Sequence, residues 1–192
     1  MEPRIDNLAT LPPATVTTVL PLEPGSWALD KTHTRVGFAV RHLGVSKVRG
    51  YFTNVDAALI VGSSLDDTAV DAWIDLGSIH TGDDDRDAQL RSQEFLDVEH
   101  HPTMTFHSTR ISGAGEDWTL DGDLTIGDVT KPISLDIEFG GVAKVFDGTL
   151  RAGFEGSGEL RRKEFGLSFG PVDPLVGQVV KLELDLEFIE PA

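Results

Sequence analysis

Apolar and polar residues alternate along most of the chain from Trp27 onward, the spacing at which a strand keeps one face dry and the other wet. Leu120, Leu124 and Ile126 alternate with Asp121, Asp123 and Thr125, and Ile133, Leu135, Ile137 and Phe139 with Ser134, Asp136 and Glu138. Leu182, Leu184, Leu186 and Phe188 alternate with Glu183, Asp185 and Glu187, while Leu150, Ala152, Phe154 and Leu160 share one parity and Val36, Phe38 and Val40 another. Such alternation marks antiparallel strands with a single buried face, since parallel strands covered on both sides read as unbroken apolar runs. Segments near 27–30, 35–42, 49–61, 67–79, 103–111, 117–126, 130–140, 148–160 and 178–189 predict strands, several of them longer than the usual ~5–6 residues. Short turns such as Gly62-Ser63 and Gly127-Asp128 join them. The expected fold class is all-β, an eight-stranded antiparallel up-and-down barrel that closes its own edges. A two-sheet sandwich satisfies the same periodicity.

Two stretches break the alternation. In residues 83–97, Asp83, Asp84 and Asp85 precede Arg86, Ala88, Leu90 and Arg91, and acids at a helix start favour the positive end of its dipole. This predicts a short helical insertion. Residues 161–165 predict a helical turn, followed by an irregular loop marked by Pro171 and Pro174. At the N-terminus, five of the ten prolines fall in residues 1–25, a composition suited to an extended segment. The folded domain is therefore expected over residues 26–192, with docking of Leu20 and Leu22 onto it or onto a partner as the alternative.

Charge and composition narrow the function. Sixteen Lys and Arg against 32 Asp and Glu leave a net charge of −16, a field that repels nucleic acid. No Cys is present, which removes disulfides, thiolate metal sites and cysteine nucleophiles. The first residues carry Glu2, Arg4 and Asp6, and the prolines after them interrupt any apolar helical stretch. No export signal or membrane span is read, and the expected location is cytoplasmic, without stable membrane insertion.

Against this acidic background, residues 31–55 contain no Asp or Glu but carry Lys31, Arg35, Arg41, Lys47 and Arg49 with His33 and His42. This positive island suits an anionic head group, or is a set of solvated faces and turns. His100, His101 and His107 with Glu99 resemble a metal cluster on paper, but adjacent histidines on a strand point to opposite faces and Pro102 follows them directly. No metal site is assigned. The chain contains no nucleophile elbow or P-loop, and no acid/base pair stands out as catalytic. Small residues recur within or beside strands, among them Gly37, Gly50, Ala57, Gly122, Ala152 and Gly156. They leave room in a barrel for a ligand, or mark bulges and corners of a filled one.

Four ordered motifs together resemble the YceI-like polyisoprenoid-binding family. They are Trp27 to Phe52 (WALDKTHTRVGFAVRHLGVSKVRGYF), Arg91 to Phe106 (RSQEFLDVEHHPTMTF), Leu120 to Ile133 (LDGDLTIGDVTKPI) and Arg162 to Gly166 (RKEFG), within a match over about residues 26–189. The resemblance implies a lipocalin-like barrel whose long hydrophobic cavity binds and carries a polyisoprenoid, an isoprenoid quinone or another long-chain amphiphile. It implies no catalysis, no cofactor beyond that ligand, and a homodimer. On this basis Phe38, Val40, Phe52, Leu76, Met104, Phe106, Leu124 and Ile126 are candidate cavity walls. Arg35, Arg41, His42 and Arg49 are candidate head-group contacts. Two other readings differ in class: a filled barrel serving as a protein-interaction module, and a metal-dependent enzyme built on His33, His42 and the histidines around His100.

Overall fold

A computed structural model describes residues 19–191. Eleven strands lie in one sheet among the described residues, and every pairing is antiparallel. They are β1 (Gly25–Leu29), β2 (Arg35–His42), β3 (Ser46–Phe52), β4 (Val55–Val61), β5 (Ala69–Asp75), β6 (Ile79–His80), β7 (Thr103–Ala114), β8 (Asp117–Ile126), β9 (Val129–Lys144), β10 (Leu150–Arg161) and β11 (Val176–Ile189).

These strands form eight staves. β1 and β2 both pair with β11, through Ala28 opposite Ile189 and Val36 opposite Leu184, so they are one stave interrupted at residues 30–34. β3 and β4 pair with β2 and β1 respectively, making a second stave broken at residues 53–54. β5 and β6 make the third, separated by a 3₁₀ turn at Leu76–Ser78. β7 to β11 complete the ring, and β11 meets the first stave. Closure decides against the sandwich and uses the backbone groups that an open edge would expose.

The first interruption has a local cause. Asp30 turns the chain by accepting from the Thr32 amide at 2.9 Å, and its carboxylate binds the Arg151 guanidinium on β10. Burial keeps the predicted period of two, most regularly on β8, where Trp118, Leu120, Leu124 and Ile126 are buried. Trp27 and Trp118 are buried near the starts of β1 and β8, and their indole N–H groups donate to the carbonyls of Glu23 (2.9 Å) and Gly115 (3.0 Å). Leu20 and Leu22 are buried members of the same core. The part of the Pro-rich segment before residue 19 lies outside the described residues.

The opposite end carries the irregular elements. α1 (Asp84–Arg91) starts at Asp83, whose carboxylate accepts from the Arg86 amide at 3.0 Å. The helix is shorter than the predicted insertion. Ser92 leaves helical geometry and the Leu96 amide folds back to the Leu90 carbonyl, so residues 92–101 are turns. The predicted helical turn after β10 is a 3₁₀ turn at Arg162–Phe165, ended by Gly166 at φ +76°, and another 3₁₀ segment covers Gly170–Leu175. No described helix is long and apolar enough to cross a membrane.

Candidate functional site

The barrel encloses a cavity of about 420 Å³, within the ~300–1,000 Å³ usual for small-molecule sites. Phe38, Val40, Phe52, Leu76, Met104, Phe106, Leu124 and Ile126 all line it. Seven of them converge because the even-numbered residues of β2, β3, β8 and β7 before its bulge share the inward parity, and Leu76 enters from the 3₁₀ turn. The lumen is not filled, but the small residues open it less directly than their size suggests. A Cβ on Gly50 would sit 2.4 Å from Phe38 Cζ, and one on Gly122 2.3 Å from Phe106 Cζ. At these two positions glycine lets an aromatic wall ring lie against the strand backbone.

The candidate head-group residues separate. His42 lines the cavity at the end of β2, whereas Arg35, Arg41 and Arg49 occupy the opposite strand parity and point outward. Arg35 lies over the Tyr51 ring at 4.4 Å, and Arg41 stands directly across from Lys47. The polar groups that do reach the lumen include Arg86 and Gln89 of α1. Arg86 is tethered, donating to the Thr81 hydroxyl (2.7 Å) and carbonyl (2.9 Å).

A roof over this end was not identified from the sequence. Phe95 stacks on Phe169 with centroids 4.2 Å apart and planes at 20°, joining the segment after α1 to the one after β10. Leu90, Leu96, Val172 and Leu175 also contribute to the lining. The available signal was the presence of Leu90, Phe95 and Leu96 inside an otherwise polar, non-alternating stretch.

Arg162 holds the second roof segment. Its buried guanidinium donates to the carbonyls of Gly177, Leu167 and Val176, each at 2.9 Å, and binds the Asp173 carboxylate. Asp173 also pairs with Lys163 at 2.6 Å and accepts from the Phe169 amide at 3.0 Å. Hydrogen bonds from Arg162, then Lys163 and the Phe169 amide, hold its carboxyl well below the usual carboxylate range.

The histidines are held by separate partners and do not converge. His100 meets Asp97 at 2.9 Å, His107 meets Asp71 at 2.6 Å across β5 and β7, and His101 lies 3.8 Å from Asp128. The Asp97 hydrogen bond raises the His100 pKa. Asp30, His33 and Glu187 are close enough to share a cation, but the Arg151 guanidinium already binds both acids there.

A closed eight-stranded antiparallel barrel around a hollow apolar lumen is an architecture that encloses a single small ligand. The YceI-like domain model matches residues 27–188, and the chain belongs to that family. The UPF0312 protein of Pectobacterium carotovorum is 35% identical over 154 residues, covering 79% of this chain and 80% of its own. That of an Enterobacter strain is 36% identical over 162 residues, covering 82% and 84%. Among solved structures, a Campylobacter jejuni YceI protein is 32% identical with a TM-score of 0.71, covering 85% of this chain and 97% of its own. A polyisoprenoid-binding domain from Saccharophagus degradans shares the fold at 16% identity and a TM-score of 0.67, covering 86% and 98%.

Proposed function

We propose that this protein is a non-catalytic carrier whose lumen holds the apolar chain of a polyisoprenoid, an isoprenoid quinone or a similar long-chain amphiphile. The observation that carries this reading is the enclosed cavity with its almost wholly apolar lining. Each buried CH₂ contributes about 0.8 kcal/mol. About ten carbons would therefore supply roughly 8 kcal/mol against an association cost of at least about 4 kcal/mol. The name of the Saccharophagus degradans neighbour supports the same ligand class. The head group sits at the mouth, near His42, Arg86 and Gln89, and the lipid is cargo, with no further cofactor. Cytoplasmic residence and homodimerisation belong to the same proposal.

Native mass spectrometry of protein purified without detergent, followed by organic extraction, tests the reading. The expected result is a stoichiometric prenyl or long-chain species whose occupancy falls in a folded Leu124→Trp variant. An empty protein that also fails to take up prenyl quinones and prenyl phosphates would overturn it.

A further inference from the structure

The β2–β3 turn meets the Gly170–Leu175 segment at the rim of the roof, the Leu43 amide donating to the Leu175 carbonyl at 2.8 Å. Four large apolar side chains face water there: Leu43 (54% exposed), Val45 (82%), Val172 (46%) and Leu175 (45%). Val172 and Leu175 also line the lumen, so the exposed patch is continuous with the cavity. Single exposed apolar residues are ordinary, but a cluster on the rim of an apolar cavity calls for a partner. Leu43 is moreover held at φ +53°, a backbone region uncommon for leucine.

The charge on the β2–β3 hairpin opposes that of the molecule. Arg41 and Lys47 face each other directly on the outer side of the hairpin, an arrangement that costs stability. Neither has an ion-pair partner among the described residues. They lie within an acid-free stretch of a chain with net charge −16. Most orientations of such a molecule are repelled by an anionic surface, and the one that tilts this hairpin toward the surface, and the exposed Asp83, Asp84 and Asp85 at the start of α1 away from it, is favoured.

We propose that the β2–β3 turn and the Gly170–Leu175 segment form a membrane-docking face, which sets the barrel mouth-down on a bilayer bearing anionic phospholipid head groups. Exposed apolar tips collared by Lys and Arg match the interfacial zone of such a bilayer. A protein seated on the same patch would cap the opening through which cargo must pass. Docking rests on the carrier reading and explains how a water-insoluble chain enters and leaves the lumen without crossing water.

The test is co-sedimentation of the full chain with vesicles of phosphatidylcholine alone or mixed with phosphatidylglycerol, at low and high salt. Cargo content is measured separately by native mass spectrometry. Binding is expected to the anionic vesicles, to weaken with salt, and to be slight on neutral ones. The pairs Leu43→Asp with Val45→Asp, and Arg41→Glu with Lys47→Glu, each weaken partitioning about tenfold or more at unchanged cargo content. Absence of binding by the unmodified protein, or undiminished binding by either paired variant, overturns docking whatever the cargo content. A dimer that the same variants split, without vesicle binding, assigns the patch to a second copy and also overturns it. Docking through these residues by a protein that holds and takes up no lipid sustains the docking face and overturns the carrier reading.

Discussion

Asp173 shows how a single carboxylate organises the roof of the cavity. It satisfies Arg162 and Lys163 and fixes the backbone at Phe169, the residue that stacks on Phe95. Its pKa is depressed by those partners, so its contribution to stability is present above the unfolded carboxylate value of about 3.9 and is lost as pH falls through the folded value. Asp30 acts in the same direction, held down first by the Thr32 hydroxyl and also by His33 and Arg151. Asp173→Asn is therefore expected to lower the melting temperature near neutral pH and to reduce the further loss on acidification below about pH 4. Asp30 keeps that loss from vanishing. Thermal melts across this range check it, and an unchanged acid dependence would sink the assignment. At this scale the apolar wall was legible, because Phe38, Val40, Phe106 and Leu124 sit on the dry parity of alternating strands. The same parity already separated Arg35 and Arg41 from Phe38, whereas grouping them by charge alone joined residues on opposite faces. Arg162 was not legible as a buried organiser, since its carbonyl partners, Leu167 in a loop and Val176 and Gly177 at the start of β11, follow no periodic pattern that would bring them to it.

The elements were read best where one force dominates. Segments 49–61 and 67–79 are single predicted strands and single observed staves, each interrupted by a turn across which the inward parity shifts by one residue, from Phe52 to Val55 and from Ile74 to Ile79. The first stave was harder to read because Asp30 and its partner Arg151 are 121 residues apart, and sequence spacing carries no trace of that contact. α1 was recognisable from its acidic start, but its attachment was not. Asp87, buried and four residues into the acidic run, accepts from the Thr81 amide at 2.9 Å and from its hydroxyl. Burial raises its pKa, and the Thr81 hydrogen bonds outweigh that and leave it lowered. Asp83 only caps the helix. Removing a cap costs about 1 kcal/mol, whereas leaving a buried donor unpaired costs about 1–3 kcal/mol. Asp87→Ala should therefore destabilise the fold at least as much as Asp83→Ala and speed proteolysis within residues 81–101. Urea titration with limited digestion measures both, and a larger loss for Asp83→Ala would show that α1 is not anchored through Thr81.

For the whole molecule, closure and hollowness have opposing effects. The ring of staves satisfies the backbone, but the unfilled lumen leaves its walls without packing partners, which full cores have. A ligand that binds the folded barrel and not the unfolded chain restores those contacts and stabilises by mass action, by about 2.7 kcal/mol at a hundredfold excess over its dissociation constant. In a domain of roughly this size each kcal/mol moves the melting temperature by about 2–4 °C. The delipidated protein titrated with a prenyl quinone is therefore expected to gain roughly 5–10 °C, rising with the logarithm of ligand concentration. A short-chain quinone with the same head group should give much less, because the stabilisation scales with buried hydrocarbon. Equal shifts for long and short chains would move the binding energy from the lumen to the head group at the mouth. The absence of any shift would mean that the lumen is not occupied by these lipids.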